Sequence, residues 1–223
     1  MKRVKQMTAL VLVLVMAFAL TACGDSNSAL AQKLIQGNLD EIYLGKYDPD
    51  YLKLVESDEA AAQEIYEDGM EAEAEYFAYY FDISYLTDEL KAEIVEMYKE
   101  IYSHAKYEVG EATKIDDTTF GVPVKVYPLD IMQLTMDDLE PAIDEFNAPY
   151  TSEQIQNMTD EEYQTYDAAW AHMIIDICKE NIADMGTMEE KSLVIQVKKD
   201  SDGYWSMYGD DFDQMDSILI YYP

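Results

Sequence analysis

The chain has 223 residues, 46 of them Asp or Glu and 15 Lys or Arg, for a formal net charge of −31; 49% are hydrophobic and 12% aromatic. That balance supplies a core without disulfide staples and disfavours disorder. The scarcity of cations, with Arg3 the one arginine, excludes nucleic acid and a basic membrane-binding patch, since both need clustered Lys and Arg.

The first residues, "MKRVKQ", carry Lys2, Arg3 and Lys5 and no acid, and no charge follows from Met7 to Leu20. A basic start, a short apolar core and then small residues form the layout of a secretory leader. The core is shorter than the roughly 18–20 residues a helix needs to cross a bilayer, which disfavours a permanent span. Leu20-Thr21-Ala22-Cys23 resembles the lipobox of bacterial lipoproteins, an apolar residue, two small ones and an obligatory Cys. The resemblance implies a signal peptide at 1–22, cleavage before Cys23, and a diacylglyceryl group on the Cys23 thiol. Two acyl chains, at about 0.8 kcal/mol per buried CH₂, hold stably where one is marginal. The implied location is the extracytoplasmic face of the cell membrane. A Cys23–Cys178 disulfide is the alternative, since oxidising compartments permit one. Loss of the leader leaves 12 lysines, no arginine and 46 acids, a net charge of −34.

Residues 23–28 read as the lipidated cysteine and a short polar tether, whose five residues after Cys23 reach at most about 17 Å. From 29 to 105 the apolar spacing is helical, with an interruption at Gly37-Asn38. Pro49 opens a brief helical turn through Leu54. Ser57 reads as the N-cap of a helix running to about Phe81, and Thr87 as the cap of the next. That second helix places Leu90, Ile94, Met97, Tyr98 and Ile101 on one face. At 106–130 the period changes. Phe120, Val122, Val124 and Val126 alternate, Asp116-Asp117-Thr118 makes a turn, and Pro123, which has no N–H, predicts an edge or bulged strand. A helical insertion follows at 134–186, with Thr159 and Glu162 spaced as a capping box. At 191–223 Leu193, Ile195 and Val197 alternate before Asp202-Gly203, a hairpin turn signal. The end, "DDFDQMDSILIYYP", reads equally as helix or strand. Residues 29–223 thus form one α+β domain: an antiparallel sheet of two hairpins packed against N-terminal helices, with a helical insertion between the hairpins. The lipobox, the leading helices and hairpins closing on "DSDGYW" before "DDFDQMD" make the chain similar to small Gram-positive lipoproteins of the cystatin-like or NTF2-like type. Several such domains are of unknown function, and the resemblance carries over no catalytic residue.

Chemical motifs are sparse. His104 falls at a helix end, where the dipole favours it; His172, beside Trp170 and Met173, reads as core or interface packing. Cys178 sits on an apolar stripe and reads as a buried inert thiol. Asp200, Asp202, Asp210, Asp211, Asp213 and Asp216 crowd one region, but their spacing does not fit an EF-hand loop. No metal and no cofactor are expected. Tyrosine is the surplus residue, 19 in all. Tyr76 and Tyr80 share one helical stripe and Phe77 and Phe81 the adjacent one. Tyr76, Tyr79, Tyr80, Trp205 and Tyr208 are the candidates for a ligand or partner contact. The first expectation is a non-enzymatic, membrane-anchored binding or interaction module whose partner is a cationic peptide or protein. A cell-envelope hydrolase with a carboxylate pair is the second. A calcium-dependent adhesin is the third.

Overall fold

The computed structural model describes residues 16–17, 24–201 and 203–223. The lipobox residues Leu20, Thr21, Ala22 and Cys23 lie outside them, as does Asp202. Where one domain was expected, the chain divides into two compact units. The first holds the residues up to Gly69 with Ala105–Pro128 and Glu189–Leu219; the second holds Met70–His104, Leu129–Met188 and Ile220–Pro223.

In the first unit, α1 (Gly24–Leu44) is continuous. Gly24–Ser28, expected as a tether, are its first residues, and Gly37-Asn38 does not interrupt it. The glycine serves a close approach instead of a break. A Cβ at position 37 would lie 2.1 Å from Cγ of Tyr51, whose ring packs against the helix there. Pro49 does open α2 (Pro49–Leu54), and the Asp48 carboxylate accepts the Tyr51 N–H at 2.8 Å. The next helix, α3 (Glu59–Tyr80), is capped by Asp58 and not by Ser57: Ala61 N–H donates to Asp58 Oδ1 at 3.0 Å.

The sheet of this unit is antiparallel throughout. Its strands are β1 (Met16–Ala17), β2 (Lys106–Val109), β3 (Thr113–Asp116), β4 (Thr119–Tyr127), β5 (Lys191–Lys199) and β6 (Tyr204–Met207). The order is β1-β6-β5-β4-β2, with β3 also paired to β4. Alternation places Phe120, Val122, Val124 and Val126 on the buried face with Leu193, Ile195 and Val197, and α1 packs there. The two hairpins are therefore one sheet, joined by the β4–β5 pair.

Pro123 requires a correction. Its strand, β4, is central and not an edge, because the partner gives way instead. Pro123 O accepts from Gly110 N at 2.8 Å, so the missing N–H points to the same side, into the gap between β2 and β3. The β5 ladder keeps its full register opposite Pro123. At the next turn Gly203, at φ 96°, takes the left-handed conformation that the Asp-Gly pair predicts. The undecided end is a helix, α8 (Gly209–Leu219).

The second unit comprises the C-terminal half of α3, α4 (Asp88–Ser103), α5 (Ile131–Asn147), α6 (Ser152–Gln156), α7 (Asp160–Ile182) and the last four residues. Thr87 caps α4, and Leu90, Ile94, Met97, Tyr98 and Ile101 are buried as their spacing predicts. Thr159 and Glu162 make both halves of the capping box. The insertion begins earlier than expected, at Ile131. On α7 the buried stripe is Ala171, Ile174, Ile175 and Cys178. His172 falls beside that stripe and not in the core: its side chain is 55% exposed, with Nδ1 3.5 Å from the Glu93 carboxylate. Among the described residues no helix is long and apolar enough to cross a membrane.

Candidate contact surface

The C-terminal half of α3 decides the geometry of the tyrosines. A helix aligns residues four apart, so two rows run along its outer side: Glu71–Glu75–Tyr79 and Ala72–Tyr76–Tyr80. Phe77 and Phe81 turn inward and are buried, as expected. Tyr76 and Tyr79 are 39% and 63% exposed, and Tyr80 is half-buried. The chain end fixes them from the side. Tyr222 meets Tyr76 edge-on at 5.0 Å and Tyr80 at 4.7 Å between ring centroids. Tyr80 donates to the Pro223 carbonyl at 2.7 Å. Beneath them the Tyr222 and Tyr98 hydroxyls bond each other, and Tyr102 donates to Glu73 at 2.5 Å. Burial pushes the phenols of Tyr98 and Tyr222 far above their ordinary range, so both remain neutral donors and acceptors.

The structure thus brings three of the five predicted contact residues together, Tyr76, Tyr79 and Tyr80, in the second unit. The other two belong to the first. Trp205 is only 5% exposed and packs on Phe120 with the rings tilted and their centroids 5.4 Å apart, which takes it out of the exposed surface. Tyr208 is exposed, and the Lys198 ammonium lies 3.7 Å from its ring centroid.

Sequence reasoning missed a second aromatic group in the same unit. Tyr85, Tyr163, Tyr166, Tyr150, Phe146 and Trp170 contact one another in a chain of ring pairs. The buried Asp167 carboxylate positions its first member by accepting the backbone N–H groups of Ser84 and Tyr85 at 2.8–3.1 Å. Tyr221 and Tyr222, at the chain end, were also missed. No periodicity connects residues so far apart in the chain.

The titratable groups in the first unit are arranged differently. Glu41 on α1 is 1% exposed and accepts the Tyr51 O–H at 2.6 Å; Tyr107 donates to Asp40 at 2.7 Å and Tyr43 to Asp216 at 3.1 Å. Burial pushes the Glu41 carboxyl above its ordinary value, opposed by the Tyr51 hydrogen bond. Two of the aspartates that crowd the C-terminal region have structural duties. Asp200 accepts from Tyr204 N and Asp211 from Gln196 N, both at 2.9 Å. Among the described residues no three His, Cys, Asp or Glu side chains group as a metal would require.

Cys178 is the buried thiol that its stripe predicts, pushed up to about 11 by burial. At pH 8 about one part in a thousand is then thiolate. Iodoacetamide should leave Cys178 unmodified in the native protein and alkylate it fully in denaturant, read by mass spectrometry. Modification in the native state would contradict the burial.

Comparison with known proteins adds the family. No curated protein matches the chain. Among solved structures, the crystal structure of a candidate lipoprotein, YcdA of Bacillus subtilis, superposes with a TM-score of 0.59 at 17% identity, covering 86% of this chain. The chain spans 56% of that protein's length, and the likeness is one of fold. Residues 24–220 match the family model DUF5105, described as a domain of unknown function. The chain therefore belongs to the DUF5105 family.

Proposed function

We propose that this protein is a non-enzymatic interaction module of the bacterial cell envelope, anchored through a diacylglyceryl group on Cys23 and held at the extracytoplasmic face of the membrane. The anchor reading rests on Leu20-Thr21-Ala22-Cys23 after a basic start and an uncharged core; the fold shared with a candidate lipoprotein supports it. The reading of residues 29–223 as a cystatin-like or NTF2-like domain is supported by the first unit, where α1 packs against an antiparallel sheet.

The interaction role rests on one observation: the exposed Tyr76 is packed by Tyr79, Tyr80 and Tyr222, so an exposed aromatic cluster is already ordered. Rigid rings lose little side-chain entropy on binding and offer both apolar area and hydroxyls. The carboxylate-pair hydrolase is the weaker reading. Burial raises two carboxyls in the α1 cluster, and each is already engaged by a phenol: Glu41, 1% exposed, accepts the Tyr51 O–H at 2.6 Å, and Asp216 accepts the Tyr43 O–H at 3.1 Å.

Two measurements test the proposal. Mass spectrometry of the detergent-extracted membrane fraction should find Cys23 N-terminal and diacylglyceryl-modified. Recovery from the cytosol with an intact leader would overturn the anchor. A photo-cross-linking amino acid at position 79 should give an adduct in intact cells, and one at position 66 should not. Equal yields would remove the surface.

A further inference from the structure

The second unit carries an unusual charge pattern. It contains 23 acids and three lysines, and all of its residues are described. Each lysine is held by its own unit's carboxylates: Lys91 by Glu71 and Glu75, Lys99 by Glu96, and Lys179 by Glu93. The exposed tyrosines therefore stand among carboxylates with no lysine left over, and the complement of such a surface is a cation.

Lys91 shows how a cation sits there. Its ammonium lies 2.7 Å from Glu71 Oε2 and 3.0 Å from Glu75 Oε1, between two successive members of one α3 row. Both glutamate side chains are about half exposed. The third member of the row is Tyr79, and Tyr76 lies beside Glu75. A tyrosine face within about 6 Å attracts an ammonium or guanidinium through its ring quadrupole. One face of one helix thus supplies a carboxylate pair and two rings in reach of a single extended segment.

We infer that the Glu71–Glu75–Tyr79 row, with Tyr76 beside it, docks a lysine- or arginine-bearing polypeptide segment, and that Lys91 occupies its ammonium seat when no partner is bound. The inference rests on the interaction-module reading and names its partner class. Lys91 is then an internal competitor. Removing it frees the seat, whereas removing Lys179 changes the unit's net charge equally but frees nothing on this row. A diffuse acidic coat treats the two substitutions alike.

The test uses the full-length protein in a non-ionic detergent at physiological salt, where charges beyond about 8 Å are screened. The probe is a fluorescein-labelled octapeptide of alternating lysine and alanine, with a glutamine–alanine octapeptide as control, read by fluorescence anisotropy. The lysine peptide should bind and the glutamine peptide should not. Lys91→Ala should tighten binding about two- to fivefold, the range of an exposed ion pair; Lys91→Gln should do the same. Glu75→Gln and Tyr79→Ala should each weaken it about two- to fivefold. Lys179→Ala should leave it unchanged. Equal effects of Lys91→Ala and Lys179→Ala would reduce the site to an acidic coat, and indifference between the two peptides would overturn it. If peptide binding fails while position 79 still cross-links in cells, only the partner class falls. If both fail, the interaction-module reading falls too.

Discussion

Alanine at position 37 is expected to destabilise the protein by about 2–3 kcal/mol, the upper range for a group forced into a packed interior. In a chain of this size each 1 kcal/mol moves the melting temperature by about 2–4 °C. The new Cβ would lie 2.1, 2.2 and 2.6 Å from the Cγ, Cδ2 and Cβ atoms of Tyr51, distances no relaxed contact permits. Tyr51 is fully buried and cannot move aside freely. Its hydroxyl is engaged by Glu41 at 2.6 Å and its backbone N–H by Asp48 at 2.8 Å, so displacing the ring breaks a buried hydrogen bond and strains the α2 cap. The control is Gly69→Ala. Gly69 is also inside a helix, but a Cβ at that position would meet nothing within 4 Å. There alanine should stabilise by about 0.5–1 kcal/mol through helix propensity alone. Urea unfolding of both variants decides the matter. Equal shifts would mean that Gly37 is an ordinary helical glycine and that α1 and α2 are not locked through Tyr51.

Gly37 also shows where the sequence stops being readable. Gly-Asn looks like a breaker, and only the ring of Tyr51, from the following helix, explains why a continuous helix needs a glycine there. The same limit governs Pro123. A strand proline predicts an edge or a bulge, but the accommodation is made by the neighbouring strand, which breaks at Gly110. Local signals fared better. The caps at Thr87 and Thr159, the alternation in β4 and β5, and the inward turn of Phe77 and Phe81 each depend on residues within a few positions. Trp205 was read as surface because β6, at four residues, is too short for alternation to show its face. The contact surface was half legible for the same reason. Tyr76, Tyr79 and Tyr80 declare themselves by helical spacing, whereas Tyr222, which braces them, arrives from the chain end.

Glutamine at position 41 should stabilise the protein, and the gain should depend on pH with a definite sign. Glu41 is 1% exposed, and its carboxyl is raised from 4.5 chiefly by burial, against the lowering effect of the Tyr51 hydrogen bond. The folded state therefore retains the Glu41 proton at a pH where the unfolded chain has released it. Stability from this group is fully present below 4.5, its unfolded value, and is lost as pH rises through the raised folded value. Above that value the buried carboxylate bears its full desolvation cost. Glutamine keeps an oxygen for the Tyr51 hydroxyl and removes the charge. It also brings an N–H donor to the helix face that carries Asn38 Oδ1, a buried acceptor with no hydrogen-bond partner. The variant should match the wild type near pH 4.5 and exceed it by about 1–2 kcal/mol at pH 7.5. The −31 charge of the chain makes both proteins respond to acid by relief of self-repulsion, so the difference between them isolates Glu41. Urea unfolding at intervals between these pH values should show that difference growing and then levelling. A difference independent of pH would mean that burial and the Tyr51 hydrogen bond cancel, and one that grows toward acid would mean that the hydrogen bond prevails and Glu41 is stabilised as the carboxylate in the folded protein.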